Sequence, residues 1–422
     1  MRFLKSPKSK IFFSLWILLL FSNLILTIIF TSNNNDLMAV YEDVDRKSNG
    51  NTLIAGDTLP EILRHPWRAK NQIPVEENNP QHKVIEIDQQ GRIIWKITGV
   101  AYPHEVLELP NGNLLIADCG HDRIIEVDYP NTNIIWTWEP KYINWTEINP
   151  SWGENHYYNN PIVYDWTHLN DVDYKDYGSW SALLISLRNF NLVLELNFTN
   201  EKLDPYNSSN IIWYFGDYDN HLLLNHQHNP DYLENGNILI ADSDNRRIIE
   251  VNYTDFSIDW EYELNLKWAR DADSLSNGNI LITDTDRVFE INKTTKEILW
   301  EFKGDLISAY ESDKLDNGNI LIGCGLGSVV YEVSPNGVIV WRFGMSFAKS
   351  LIYLNVILFS LIEVISLYFT SQKIRKTQRS DRISKRIWNY VKIAILLFLI
   401  STNIILIITY TQILMNMLFS LK

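Results

Sequence analysis

From about residue 40 to residue 345 the chain repeats one pattern of apolar and polar positions. Each unit opens on a polar-apolar alternation, passes an Asn-Gly pair, enters an unbroken apolar run, and adds two more short segments, the last ending in tryptophan. The opening half of the unit recurs as EDVDRKSNGNTLIAG, HEVLELPNGNLLIAD, HNPDYLENGNILIAD, RDADSLSNGNILITD and YESDKLDNGNILIGC. A sixth copy, HLNDVDYKDYGSWSALLIS, is degenerate, with a longer aromatic loop expected in place of Asn-Gly. Segments such as HKVIEID, RIIEVD, LVLELN and RVFEIN follow, and the closing tryptophans are Trp95, Trp136, Trp213, Trp260, Trp300 and Trp341. Period-two alternation marks strands, and Asn-Gly marks a hairpin turn whose two positions are both expected at positive φ. Four strands per unit, six units, and a spacing of about forty residues predict a six-bladed β-propeller.

The same hydropathy pattern sets the flanks apart. Residues 11–31, 349–370 and 391–419 are apolar for long enough to cross a bilayer, which takes roughly 20 residues. The first has no small-residue cleavage site after it and reads as an uncleaved anchor. Basic residues precede it in 1–10, and KIRKTQRSDRISKR fills the 371–390 loop. The positive-inside rule puts both in the cytoplasm and the propeller, residues 32–348, on the extracytoplasmic side of a cell membrane. Five glycosylation sequons, at Asn144, Asn197, Asn207, Asn252 and Asn292, all fall in that exterior part. Glu363, within the second span, carries no functional reading.

Net charge is −14, but residues 32–348 hold 23 Lys/Arg against 49 Asp/Glu, a balance of −26. Such a surface repels nucleic acid and argues against any phosphate-backbone partner. Two cysteines, Cys119 and Cys324, are too few for a disulfide scaffold and read as structural thiols.

A propeller's first strands surround its axis, so the residues that open each unit converge. Counting nine back from the last Asn of each N-G-N gives Glu42, His104, His228, Arg270 and Tyr310. The degenerate unit supplies His168, with Asn170 on the same side by strand alternation. Arg188, ending ALLISLR, is expected near the same mouth, where Asp118, Asp242 and Asp284 end the matching strands of other units. Histidines and arginines gathered inside an acidic domain imply a small oxyanion of sulfate or phosphate type.

YPHEVLELPNGNLLIAD, DWTHLNDVDY with ISLRN, and NHQHNPDYLENGN together resemble the PAPS-independent arylsulfate sulfotransferases, over most of residues 38–345. That resemblance implies transfer of a sulfo group from an aryl sulfate ester to a phenol without metal or nucleotide cofactor. It implies a nucleophilic histidine in the Gln227-His228 step, supporting histidines at His104 and His168, and Asn170 and Arg188 as donors to the sulfuryl oxygens. Glu42, Arg270 and Tyr310 are then substrate-binding. Two other readings use the same residues: a propeller lyase or hydrolase with Zn²⁺ on three histidines, and a surface propeller that binds without catalysis.

Overall fold

The computed structural model describes residues 40–57, 82–152, 165–199, 204–304, 306–325 and 329–344. All belong to one compact unit, Thr31–Met345. The three expected membrane spans, the 1–10 segment and the 371–390 loop lie outside the described residues. Among the described residues no helix is long and apolar enough to cross a membrane.

Among the described residues twenty-four strands form six four-stranded antiparallel sheets, each a simple meander of neighbours in sequence. The first strands are β1 (Val40–Arg46), β5 (Pro103–Glu108), β9 (Leu169–Asp176), β13 (His228–Tyr232), β17 (Ala269–Ser274) and β21 (Ala309–Lys314). Each touches the first strand of the next sheet, and β21 touches β1, so they close a ring about one axis. This is the predicted six-bladed propeller. The second strands, such as β6 (Leu114–Asp118) and β14 (Ile238–Asp242), are buried at every position. Sandwiched between neighbouring blades, they have no solvent face, which is why LLIAD and ILIAD are unbroken apolar runs rather than alternations. Full burial of each such Ile or Leu contributes roughly 1.5–3 kcal/mol.

Six apolar clusters sit one at each blade-to-blade contact. The cluster of Tyr41, Val44, Ile54, Leu321 and Val330 joins the last blade to the first. Among the described residues the first and last sheets share no strand; the ring closes by packing. Polar links reinforce it. The closing tryptophans donate their indole N–H to a carbonyl in the next blade: Trp95 to Pro130 at 2.9 Å, Trp213 to Tyr253 at 3.0 Å, Trp260 to Lys293 at 2.9 Å and Trp300 to Pro335 at 3.0 Å. Trp341 completes the circuit on Gln89 at 3.2 Å, beside an Arg46–Glu332 ion pair at 2.9 Å. Trp136 instead packs edge-on against Phe198.

The N-G-N turns differ from expectation in one respect. Gly112 N–H donates to Leu109 C=O at 2.8 Å, and Leu109 N–H to Asn113 C=O at 2.8 Å, so the turn has more than two residues. Only the glycine adopts positive φ, +86° in Gly112; Asn111 does not. The asparagines are needed for another reason. The last Asn of each turn donates its amide to a buried or half-buried glutamate on the third strand: Asn51 to Glu86, Asn113 to Glu126, Asn237 to Glu250, Asn279 to Glu290 and Asn319 to Glu332, all at 2.6–2.7 Å. In the degenerate blade Glu195 accepts from Tyr177, Tyr232 and Tyr253 instead. Its aromatic turn is not the longer one foreseen. β9 runs to Asp176 and β10 (Ser181–Leu187) starts at Ser181, so the strands are extended and the turn between them is short.

Candidate functional site

A β-bulge in the first strand of each blade builds the site. The register against the second strand skips one residue at Glu42, His104, Asn170, Arg270 and Tyr310. Strict alternation would send consecutive side chains to opposite faces; an extra residue lets two in a row face the axis. In the fourth blade the skip falls between His228 and Asp231, one place later, over Asn229 (φ +35°) and Pro230. The count from the Asn-Gly turn therefore found a real equivalence. It also shows that Asn170, not His168, is the degenerate blade's matching residue.

His228 is wholly buried. Its Nδ1 lies 3.1 Å from the His226 carbonyl and 2.9 Å from Ser243 Oγ. A carbonyl only accepts, so Nδ1 carries the hydrogen, and the Ser243 hydroxyl, which donates to Ala269 C=O at 2.6 Å, is left to accept it. The free lone pair is on Nε2, where Arg270 Nη1 donates to it in direct contact. Burial, then Arg270 and Arg188, hold the imidazole well below its usual pKa and hence neutral. The Arg270 guanidinium is itself buried, stacked on Trp268 with 3.2 Å from Cζ to the ring centroid and facing Tyr310 at 4.9 Å.

His104 and His168 form a second unit, Nε2 to Nε2 at 3.2 Å. His168 Nδ1 donates to Asp165 at 2.7 Å, and a second proton is shared between the two Nε2 atoms. His168 precedes β9 with φ +49°, so it reaches the site from a turn and not by strand alternation with Asn170. That turn is pinned by Asp122, which accepts from Trp166 N, Thr167 N and Thr167 Oγ1 at 2.5–2.7 Å, and by Asn189 Nδ2. The Tyr310 ring stands between the two units, its centroid 5.9 Å from those of both His104 and His228. Tyr102 lies edge-on to His104 at 4.4 Å. Burial lifts the Glu42 carboxyl to about 8, with Asp57 adding and Arg270 and a Tyr102 hydrogen bond opposing. Glu42 is thus largely protonated at neutral pH.

Two expectations need correction. The residue matching Asp118, Asp242 and Asp284 is Leu187, since Leu187 pairs with Leu192 as Asp118 pairs with Arg123. Those aspartates are structural, accepting from the loop entering the blade and from an arginine: Asp118 takes Ala101 N at 2.5 Å and Arg123 Nε at 2.6 Å, and Asp242 takes Asn225 N at 2.7 Å and Arg247 Nε at 2.8 Å. Arg188 stands one place further on, where other blades have Cys119, Ser243 and Thr285. It is buried, and its charge is felt at His228, His226 and Arg270. Asn170, expected as a sulfuryl donor, gives its amide to Gln227 C=O at 3.0 Å and so holds the Gln227-His228 step from behind.

The residues the sequence reading missed, Ser243, Asp165 and Cys119, come from loops. The one legible signal was position: Ser243 and Cys119 follow directly on the second strand, as Arg188 does. Cys119 donates to Asp165 at 3.3 Å, and Cys119 and Cys324 form no disulfide. Donor atoms of His104, Cys119 and His168 lie within 4.8 Å of one another. His228 is outside that group, with Nε2 on a cation, so the three-histidine zinc set is not assembled among the described residues.

Residues 43–224 match the family model described as Arylsulfotransferase (ASST). The match includes His104, His168, Asn170 and Arg188 and ends before His228. No curated protein matches the chain. Similar solved structures include a protein of unknown function from Bacteroides caccae, with 11% identity over 62% of this chain and 89% of that one and a TM-score of 0.44. A streptogramin B lyase shares 11% over 73% and 84%, TM-score 0.46. Virginiamycin B lyase from Staphylococcus aureus shares 10% over 74% and 86%, TM-score 0.45. These likenesses carry no inference about chemistry.

Proposed function

We propose that the chain moves a sulfo group from an aryl sulfate ester to a phenolic acceptor through a sulfohistidine on His228. The observation that carries the reading is the protonation pattern of that buried ring: Nδ1–H held by His226 and Ser243, Nε2 unprotonated beside Arg270. The family match over residues 43–224 supports aryl sulfotransfer as the class of reaction.

The donor's sulfuryl oxygens take over the Arg270 guanidinium, releasing the Nε2 lone pair, which attacks sulfur in line. The S–O bond to the ring breaks, and its electron pair leaves on the phenolate oxygen. That oxygen takes a proton from the His104–His168 pair, whose counter-charge is Asp165. Arg270 and Arg188 balance the charge on the equatorial oxygens. In the second half the acceptor phenol returns its proton to the histidine pair and attacks sulfur; the N–S bond breaks and restores neutral His228. Tyr310 and Glu42, protonated, line the place of the aryl group and the sulfate without adding negative charge. Asn170 acts through Gln227.

Hydropathy and the basic flanks support a chain anchored in the cell membrane by residues 11–31, 349–370 and 391–419, with the propeller outside.

The test is incubation with an aryl sulfate donor and no acceptor, followed by mass spectrometry. A single added sulfo group on His228, discharged by phenol, is the expected result. Sulfation elsewhere, or turnover retained in His228→Ala, overturns the assignment.

A further inference from the structure

One residue beyond the bulges, the same strands change character. Glu42 is followed by Asp43 and Asp45, His104 by Glu105, Asn170 by Asp171, and Arg270 by Asp271. The two sides of this acidic layer are not equivalent. On the β17–β21 side donors are supplied: Asp271 accepts from Thr283 Oγ1 at 3.0 Å and Ser312 N at 3.2 Å, and Asn229 Nδ2 reaches Glu311 at 2.6 Å. On the β1–β5–β9 side they are fewer and come from the backbone. Carboxylate oxygens of Asp43, Asp45 and Glu105 lie within 4.8 Å of one another. Asp43 accepts from Val106 N, at 2.9 Å, and from Val44 N. Asp171, 5% exposed, shares a hydrogen bond with Glu105, and its buried Oδ2 has no hydrogen-bond partner. Among the described residues no lysine or arginine pairs with any of these four; Lys47, just past the end of β1, goes to Glu86 and Glu108.

We propose that Asp43, Asp45, Glu105 and Asp171 bind one hard divalent cation of the calcium class. The donors are all oxygen, which selects Ca²⁺ or Mg²⁺ over zinc or copper. Four carboxylates from three separate strands form a wide, adaptable cage, suited to Ca²⁺ rather than to the tighter octahedron of Mg²⁺. Burial and mutual repulsion push all four carboxyls well above their usual range, the condition a bound dication relieves. The cation would stitch the first three blades together on the axis, under the transfer site. It plays no part in the sulfuryl chemistry proposed above, so the two readings stand or fall separately.

The test uses the purified full-length chain, stripped with a chelator and titrated with Ca²⁺ alone, then with Mg²⁺ alone, by calorimetry and thermal melting. One saturable Ca²⁺ per chain and a higher melting temperature are expected, with Mg²⁺ on the order of tenfold weaker or more. Asp45→Asn with Glu105→Gln should weaken Ca²⁺ binding on the order of tenfold or more. In chelator the same variant should melt above the wild type, because it removes repulsion that the ion otherwise cancels. This opposite sign separates a lost ligand from a misfolded variant. Absence of saturable binding at millimolar Ca²⁺, or wild-type affinity in the double variant, overturns the proposal. So does a double variant that melts below the wild type in chelator.

Discussion

Two layers of the same channel, one residue apart on the same strands, carry opposite chemistry. The upper holds Glu42, His104, Asn170, His228, Arg270 and Tyr310; the lower holds Asp43, Glu105, Asp171, Asp271 and Glu311. Backbone geometry cannot account for the difference, because the bulge that turns one residue inward turns its neighbour inward too. What differs is how charge is balanced. In the upper layer Arg270, with Arg188 from the end of a second strand and a protonated glutamate, leaves it receptive to an anion. In the lower layer carboxylates outnumber donors and leave it receptive to a cation.

His228→Ala is the sharpest way to break the comparison. Turnover of an aryl sulfate should fall on the order of 10⁴-fold or more, while Ca²⁺ binding is unchanged. Arg270→Ala should cost on the order of 10²-fold in kcat, and Arg188→Ala somewhat less, because Arg270 touches Nε2 and Arg188 acts from further off. Equal losses would show that contact with Nε2 is not what matters.

Ser243→Ala removes one of the two acceptors for Nδ1–H and should reduce kcat about tenfold, with Ser243→Thr recovering most of it. Thr285, at the matching place in the next blade, shows that this backbone position accepts threonine. A loss of substrate affinity in place of kcat would point to a packing role.

Glu42 ties the layers to pH. Its carboxyl, held at about 8, ionises as pH rises through that value and competes with substrate for Arg270. KM should therefore rise above pH 8 in the wild type and stay flat in Glu42→Gln; a limb that persists would assign it elsewhere. The smallest effect concerns stability. His228 is depressed below its ordinary value of 6.5, so the unfolded chain takes up a proton before the folded one does. Stability from this group is present above about pH 6.5 and is lost as pH falls below it. His228→Gln should melt with a shallower acid dependence.

The sequence by itself determined the number of blades, their four strands, and the convergence of His104, His228, Arg270, Tyr310 and Glu42. Those features follow from period-two patterning and from a repeat counted against a fixed turn, and both are local. The Asn-Gly-Asn signal marked the turn for a partly different reason than expected, because the glutamate that needs those asparagines sits on another strand. The tertiary structure decided which side chains touch. That Asn170 and not His168 fills the sixth equivalent place depends on a bulge, which shifts register without leaving a composition signal. Asp165, Ser243 and Cys119 reach the site from loops, where no periodicity fixes direction. The tautomer of His228 likewise depends on a carbonyl and a hydroxyl brought together by folding. Strand patterns encode which face a residue takes; only packing fixes its neighbours, and the neighbours set its charge.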